Sequence, residues 1–378
     1  MKKIGLLILL LLSNTYAFDN TISGEVKLFH YDINQENEPL SANTTALGGY
    51  LDYQAKFDQS SSANFRFYTS NPLGKGRLQE TTLLYESDGN AINTLAVANI
   101  SHTVNDTKFI IGRQRLFTPM ANDDTTRIIP FTYTGITFEN SSINNINIYG
   151  GYIDSVKHLI EENFEKRITS GKLENGFYYL GLDATLPLNL KLKSYYYYAD
   201  KLFDSFYNQL EYKNRYKSID FFLGLQSIYT SKNGDASNIT NDSYDTNMLA
   251  YKIGFKYKNL SLSNAFSRNS GNGDIDRGYG GFTQLYTSSM YGAAKGSGGA
   301  EGLNFTAKYD FTKQVSAKVT YLKTSYDDPT ANRFVSWYGG VKYYYLKNNY
   351  IHLRYENVDR EQIGTDAEYI RIISTFAF

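Results

Sequence analysis

Apolar and polar residues alternate along almost the whole chain, in short runs that recur through to the last residue. Residues 51–57 read Leu-Asp-Tyr-Gln-Ala-Lys-Phe, and the same pattern returns at 188–192, 251–257, 303–309, 315–321 and 351–355. A period of two is that of a β-strand with one apolar and one polar face. Turn-forming clusters at 71–74, 87–90 and 232–235 separate such runs. No amphipathic stretch reaches three helical turns. Residues 156–164 (VKHLIEENF) predict one short helix, placed in an external loop.

Each strand's apolar face needs something to cover it. A soluble sandwich would bury these faces in a shared core, but one such domain of this length would be unusual. A transmembrane barrel turns them to lipid and its polar faces to a watery lumen, with strands of about 9–11 residues and aromatic girdles. The chain has 35 Tyr and 23 Phe but only 6 Pro and 1 Trp, at a mean hydropathy of -0.43. Tyrosine runs at 195–198 and 343–345 sit where strand ends, and hence girdles, would fall. The expected fold class is all-β, a transmembrane antiparallel β-barrel. At roughly 20 residues per strand and connection, it would have about 16 to 18 strands.

The chain starts Met1-Lys2-Lys3, continues with an apolar run over 4–12 and reaches Ala17. A basic start, a short apolar core and a small final residue describe a secretory signal peptide. Cleavage after Ala17 is expected, leaving 18–378 as a single barrel domain. With 0 Cys, both a lipid-anchored N-terminus and a disulfide-stapled fold are excluded. The last strand, 369–378, puts Ile370, Ile372, Phe376 and Phe378 on one face. A terminal strand ending in Phe resembles those that the bacterial outer-membrane assembly machinery recognises. The bacterial outer membrane is therefore the expected location, with its lipids as partners.

Lys+Arg and Asp+Glu balance at 38 each, which argues against nucleic acid as a partner. Parity sorts those charges by face. If the apolar residues face lipid, then Lys56, Arg66, Lys191, Lys193, Lys252, Lys256, Lys308, Lys318, Lys342, Arg354 and Arg371 face the lumen, as does His352. Only Asp52 and Glu356 join them from the acidic side. A wall of one sign concentrates the opposite ion, so anions or carboxylate-bearing solutes are the expected cargo.

Residues 109–135 break the pattern. The segment starts as a strand, is interrupted at Pro119, crosses a charged stretch and resumes after Pro130. Arg113, Arg115, Asp123, Asp124 and Arg127 concentrate there. An inward loop with opposed acids and arginines would narrow the pore and orient zwitterions. The run Gly112-Arg113-Gln114, Thr118-Pro119, Asn122-Asp123-Asp124, Arg127, Pro130 and Gly135 resembles the corresponding segment of OprD-type outer-membrane porins. Major porins of epsilon-type proteobacteria are similar in length and tyrosine content. The resemblance implies an 18-stranded barrel, a narrow eyelet, a ladder of basic residues and facilitated diffusion of small carboxylates or amino acids. It also implies a second inward, glycine-rich loop at 277–302.

Enzyme motifs are missing: the chain has no G-x-S-x-G, H-E-x-x-H or G-x-x-x-x-G-K-S/T. His30, His102, His158 and His352 lie in separate segments. Residues 241–245 and 271–276 offer oxygen ligands of the kind Ca²⁺ takes, but neither forms a full Ca²⁺ loop. No cofactor or metal is expected, and no catalytic residue. Large porins often associate, so a homotrimer is the expected assembly. Two other readings compete with the pore: an adhesion or binding barrel, and an outer-membrane lipase.

Overall fold

The computed structural model describes residues 19–36, 41–74, 76, 82–168, 171–239, 245–271, 279–290, 299–327, 333–362 and 365–378. The expected leader, 1–17, lies outside the described residues. So do most of the 241–245 and 271–276 oxygen clusters, and parts of the 277–302 loop.

The alternating runs form strands, except that residues 188–189 lie in the turn Pro187–Asn189 and the strand there starts at Leu190. The first seven are β1 (Asp19–Gln35), β2 (Ala42–Lys56), β3 (Ser61–Pro72), β4 (Ile92–Val104), β5 (Thr107–Gln114), β6 (Thr132–Ile143) and β7 (Ile146–Lys157). A two-residue hairpin follows, β8 (Arg167–Ile168) and β9 (Gly171–Lys172), outside the main sheet. Next come β10 (Phe177–Leu186), β11 (Leu190–Tyr198), β12 (Phe203–Tyr216), β13 (Ile219–Lys232), β14 (Thr246–Tyr257) and β15 (Leu260–Asn269). The chain ends with β16 (Glu301–Asp310), β17 (Val315–Ser325), β18 (Phe334–Leu346), β19 (Asn349–Arg360) and β20 (Ala367–Ala377).

The main sheet has 18 strands, each antiparallel to its chain neighbours. β1 pairs with both β2 and β20, so the sheet closes and leaves no edge. Closure suits lipid, where an unpaired backbone group has no water to bond.

Connections differ at the two ends. One end has turns of two to four residues, several built around a left-handed residue: Asn105, Asn145, Lys217, Lys258 and Asn348 all have φ between 50° and 67°. The other end carries the long connections. Short turns on one side and long loops on the other are the pattern of outer-membrane barrels, the short side being periplasmic.

The faces follow the alternation. Leu249, Ile253 and Leu225 stand outward at 65 %, 54 % and 51 % exposure, while their inward neighbours are polar or covered. Burial sits inside the barrel, where loops fold back onto the wall. One cluster packs Met120 and Tyr279 against Tyr197, Phe177 and Phe203. A second packs Leu84, Tyr85, Ile128 and Ile129 against Tyr31, Tyr68 and Tyr369. The short helix expected at 156–164 is not formed. Val156 and Lys157 finish β7, and residues 158–164 turn back so that Glu165 exchanges both backbone bonds with Val156. The apparent amphipathicity came from Leu159 tucked under a charged turn.

A lumen narrowed by docked loops

β5 stops at Gln114, and the chain leaves the wall for the lumen until Thr132. A compact turn opens this segment: the Thr118 hydroxyl donates to the Ala121 carbonyl (2.6 Å), and Phe117 bridges to Asn122. The turn rests on tyrosines. The Tyr197 hydroxyl accepts from the Met120 N–H (3.2 Å), and the Tyr133 hydroxyl donates to the Asn122 carbonyl (2.8 Å).

Asn122 then joins this loop to a second one, residues 279–290. Its side-chain amide donates to the Phe282 carbonyl (2.8 Å) and its Oδ1 accepts the Phe282 N–H (3.1 Å). The Tyr279 N–H reaches the Met120 carbonyl (3.0 Å). Gly281 permits this approach, with φ at +83° and any Cβ falling 2.3 Å from the Asn122 carbonyl oxygen. Residues 279–290 continue across the lumen. Gln226 on β13 donates to the Gln284 carbonyl (2.7 Å), and at the far wall Ser289 donates to the buried carboxylate of Glu356 on β19. A third inward segment, around Thr82–Tyr85, had no signal in the sequence. The Ser70 hydroxyl anchors it through the Leu84 carbonyl (2.5 Å).

The five residues expected at the constriction separate. Arg115 and Asp123 form an ion pair, with Nε 2.8 Å from Oδ2 and side chains 25 % and 11 % exposed. Asp124 follows in a left-handed turn, its carboxylate accepting the Thr126 N–H. Arg127 reaches the other way, donating to the Thr82 carbonyl (2.6 Å) and lying over the Tyr31 ring. Arg113 is not brought to this group. It stands outward with Phe109 and Ile111, stacks on Phe164 and donates to the Leu95 carbonyl (3.0 Å). There it covers β4, whose residues above Ala98 have no β5 partner because β5 is short.

The wall residues fall into two groups. Arg66 pairs with Asp52 (2.8 Å), Lys193 with Asp183 (3.3 Å), Lys56 with Asp19 (3.8 Å), and Lys256 and Lys308 share Asp310. Lys252, Lys318, Lys342, Arg354 and Arg371 have no carboxylate partner among the described residues; nor does Lys191, at the short-turn rim. Aromatic rings meet those five instead. Lys252 faces Tyr286 of the second loop, and Lys342 lies 3.7 Å from the Tyr350 ring centre.

Register puts several cations in one row. Lys308 pairs across to Lys318, Lys318 to Gly340, Gly340 to Arg354, Arg354 to Arg371, and Arg371 to Tyr31. Tyr338 folds back over Gly340, where a Cβ would lie 2.3 Å from its hydroxyl, and so fills the gap in the row. Its ring centre is 5.5 Å from both Lys318 and Arg354. The row starts two residues from the short-turn end at Lys308 and lies six from that end at Arg371. Because barrel strands are tilted and staggered, a row along the hydrogen bonds climbs the axis. This one climbs toward Tyr31 and Arg127.

Known proteins agree with this architecture. The sequence model described as outer membrane porin, OprD family, matches residues 72–313. No curated protein matches the chain. Among solved structures, Pseudomonas aeruginosa OccK9 (OpdG) superposes with a TM-score of 0.85 at 15% identity, covering 96% of this chain and 99% of that one. Acinetobacter baumannii OccAB4 gives 0.85 at 14%, covering 97% and 99%. Pseudomonas aeruginosa OpdK, solved with vanillate, gives 0.81 at 13%, covering 94% and 98%. The closed barrel and the family match place the chain in the bacterial outer membrane as a channel rather than an enzyme. The chain belongs to the OprD family of outer-membrane porins.

Proposed function

We propose that the channel passes small anionic or zwitterionic solutes bearing a carboxylate, by diffusion without energy input. The row from Lys308 through Lys318, Arg354 and Arg371 to Arg127 carries this reading. Its cations from Lys318 to Arg371 are held by rings rather than by acids, so their positive field acts on a passing anion, from behind covering side chains in the case of the buried Arg371. A carboxylate would move from one cation to the next along the climbing row. The Arg115–Asp123 pair and the lone Asp124 would set the eyelet's transverse field and orient zwitterions. Arg113, on the outer face, has no part in it. A vanillate-bound relative of the same fold is compatible with a carboxylate cargo.

The same reading takes 18–378 as the mature chain. Its terminal strand, ending in outward Phe376 and Phe378, would be read by the assembly machinery, and three copies would associate. Single-channel conductance in a planar bilayer, with reversal potential in a KCl gradient, tests the cargo. Stepwise conductance with anion preference, weakened in Lys318→Glu, is the expected result. Cation preference in the wild type would refute the basic row while leaving the pore intact.

A further inference from the structure

Beneath the Arg115–Asp123 pair, on the short-turn side of the constriction, the inner wall of β2 to β5 is hollowed into an alcove of about 230 Å³. The basic row does not enter it. At about 30 Å³ per liquid water, that volume equals roughly seven to eight waters, a space for one small ring.

The alcove's chemistry differs from the row's. Its arginines are already neutralised, Arg66 by Asp52 and Arg115 by Asp123. Each pair presents donors and acceptors side by side without net charge. Asn64 donates to the same Asp52 carboxylate (2.9 Å), and the Ser62 and Ser101 hydroxyls bond each other (2.8 Å). Either hydroxyl can turn to donate or accept.

Over this polar wall stands Phe117, 69 % exposed although it lies inside the barrel. The Arg115 guanidinium lies 5.1 Å from its ring centre and holds it in place. An open aromatic ring above paired amides, carboxylates and hydroxyls suits a molecule with apolar C–H faces and a hydroxylated edge. A bare anion would use neither the ring nor the acceptors. Lys108, at the mouth, is the one alcove cation with no carboxylate partner among the described residues.

We infer that the alcove between Phe117 and the inner wall of β2–β5 is a binding subsite for a neutral polyhydroxylated ring, a single pyranose sugar. The inference rests on the chain acting as a channel, but not on its ion preference. A bound sugar would stack on Phe117, exchange hydrogen bonds with Asp52, Asn64 and Arg66, and partly obstruct the ion path below the eyelet.

The test is current through single channels with methyl glucoside added on the short-turn side, against the uronic acid of the same ring. A channel that conducts without sugar establishes the pore independently of the alcove. Expected are concentration-dependent interruptions by the neutral glycoside, shortened at least several-fold in Phe117→Ala and restored in Phe117→Trp. Phe117 is exposed, so its truncation leaves the fold standing; sugar-free conductance of each variant checks this. Interruptions that survive Phe117→Ala, or a wild-type channel that conducts but ignores the glycoside, would overturn the inference. So would block by the uronate alone that disappears in Lys108→Gln, which would make the alcove an anion site.

Discussion

Tyr31 stands between two arginines that belong to different parts of the chain. The Arg371 guanidinium lies 4.3 Å from its ring centre and donates to its hydroxyl (2.9 Å), while Arg127, from the loop between β5 and β6, lies 5.2 Å from the same ring. One ring thus joins the top of the basic row to the loop between β5 and β6. A cation over an aromatic face gains about 0.5 to 2 kcal/mol without losing its charge.

This arrangement predicts that Arg371→Gln weakens anion preference without closing the channel. At about 5 Å in water a unit charge is worth ~0.8 kcal/mol, a factor of about four in local ion concentration. The reversal potential in a KCl gradient should shift toward the cation value by a comparable change in permeability ratio. An unchanged reversal potential would mean that ions do not pass near Arg371.

Asn122 and Gly281 predict how the two loops are kept together. Asn122→Ala removes two side-chain bonds to Phe282, about 2 kcal/mol at roughly 1 kcal/mol each. Gly281→Ala forces a Cβ against the Asn122 backbone in a left-handed conformation. Either change should raise mean conductance and add current noise while the barrel stays folded and heat-resistant on gels. Quiet currents of wild-type size from both variants would show that the loops hold position without this joint.

Alternation was legible because lipid on one side and water on the other enforce it along every strand. It assigns Lys252, Lys318, Lys342, Arg354 and Arg371 to the face opposite the outward apolar residues, and it assigns Arg113 to the outward one. Arg113 shares parity with Phe109 and Ile111, both outward, yet its place in the motif suggested the pore. Arg115 has the same parity and ends up inside because β5 stops at Gln114, where the rule stops too. What the sequence could not show was docking at a distance. Nothing local announces that Asn122 meets Gly281, that Thr82 meets Arg127, or that Glu356 receives Ser289. These contacts depend on loop closure across the barrel, which leaves no period in the sequence.

His158 gives the 158–167 turn a pH limit. Burial, together with the nearby Arg167 and Lys157 charges and against the Arg167 carbonyl and Glu165, lowers its pKa to about 4. The ring packs on Phe131 at the end of the loop between β5 and β6 (5.2 Å). Its folded-state pKa lies below the unfolded value of about 6.5, so the unfolded turn binds the proton more readily. Stability from this group is therefore complete above about pH 6.5 and falls as pH drops toward 4. Amide protection factors at 158–167, which take out the intrinsic pH dependence of exchange, should fall as pH drops over that window in the wild type. In His158→Phe that fall should vanish.

Trp337, the one tryptophan, reports which face meets lipid. It is 54 % exposed, points outward, packs on Tyr321 (4.8 Å between ring centres) and lines an outer concavity with Phe305 and Val319. It also sits three residues from the long-loop end of β18, at the height of an interfacial girdle. In bilayers, bromine atoms near the headgroup end of the acyl chains should quench its fluorescence more than bromines near the chain ends. Aqueous iodide should quench it weakly. Strong iodide quenching with no bromine effect would place Trp337 in water and reverse the two faces assigned to the barrel.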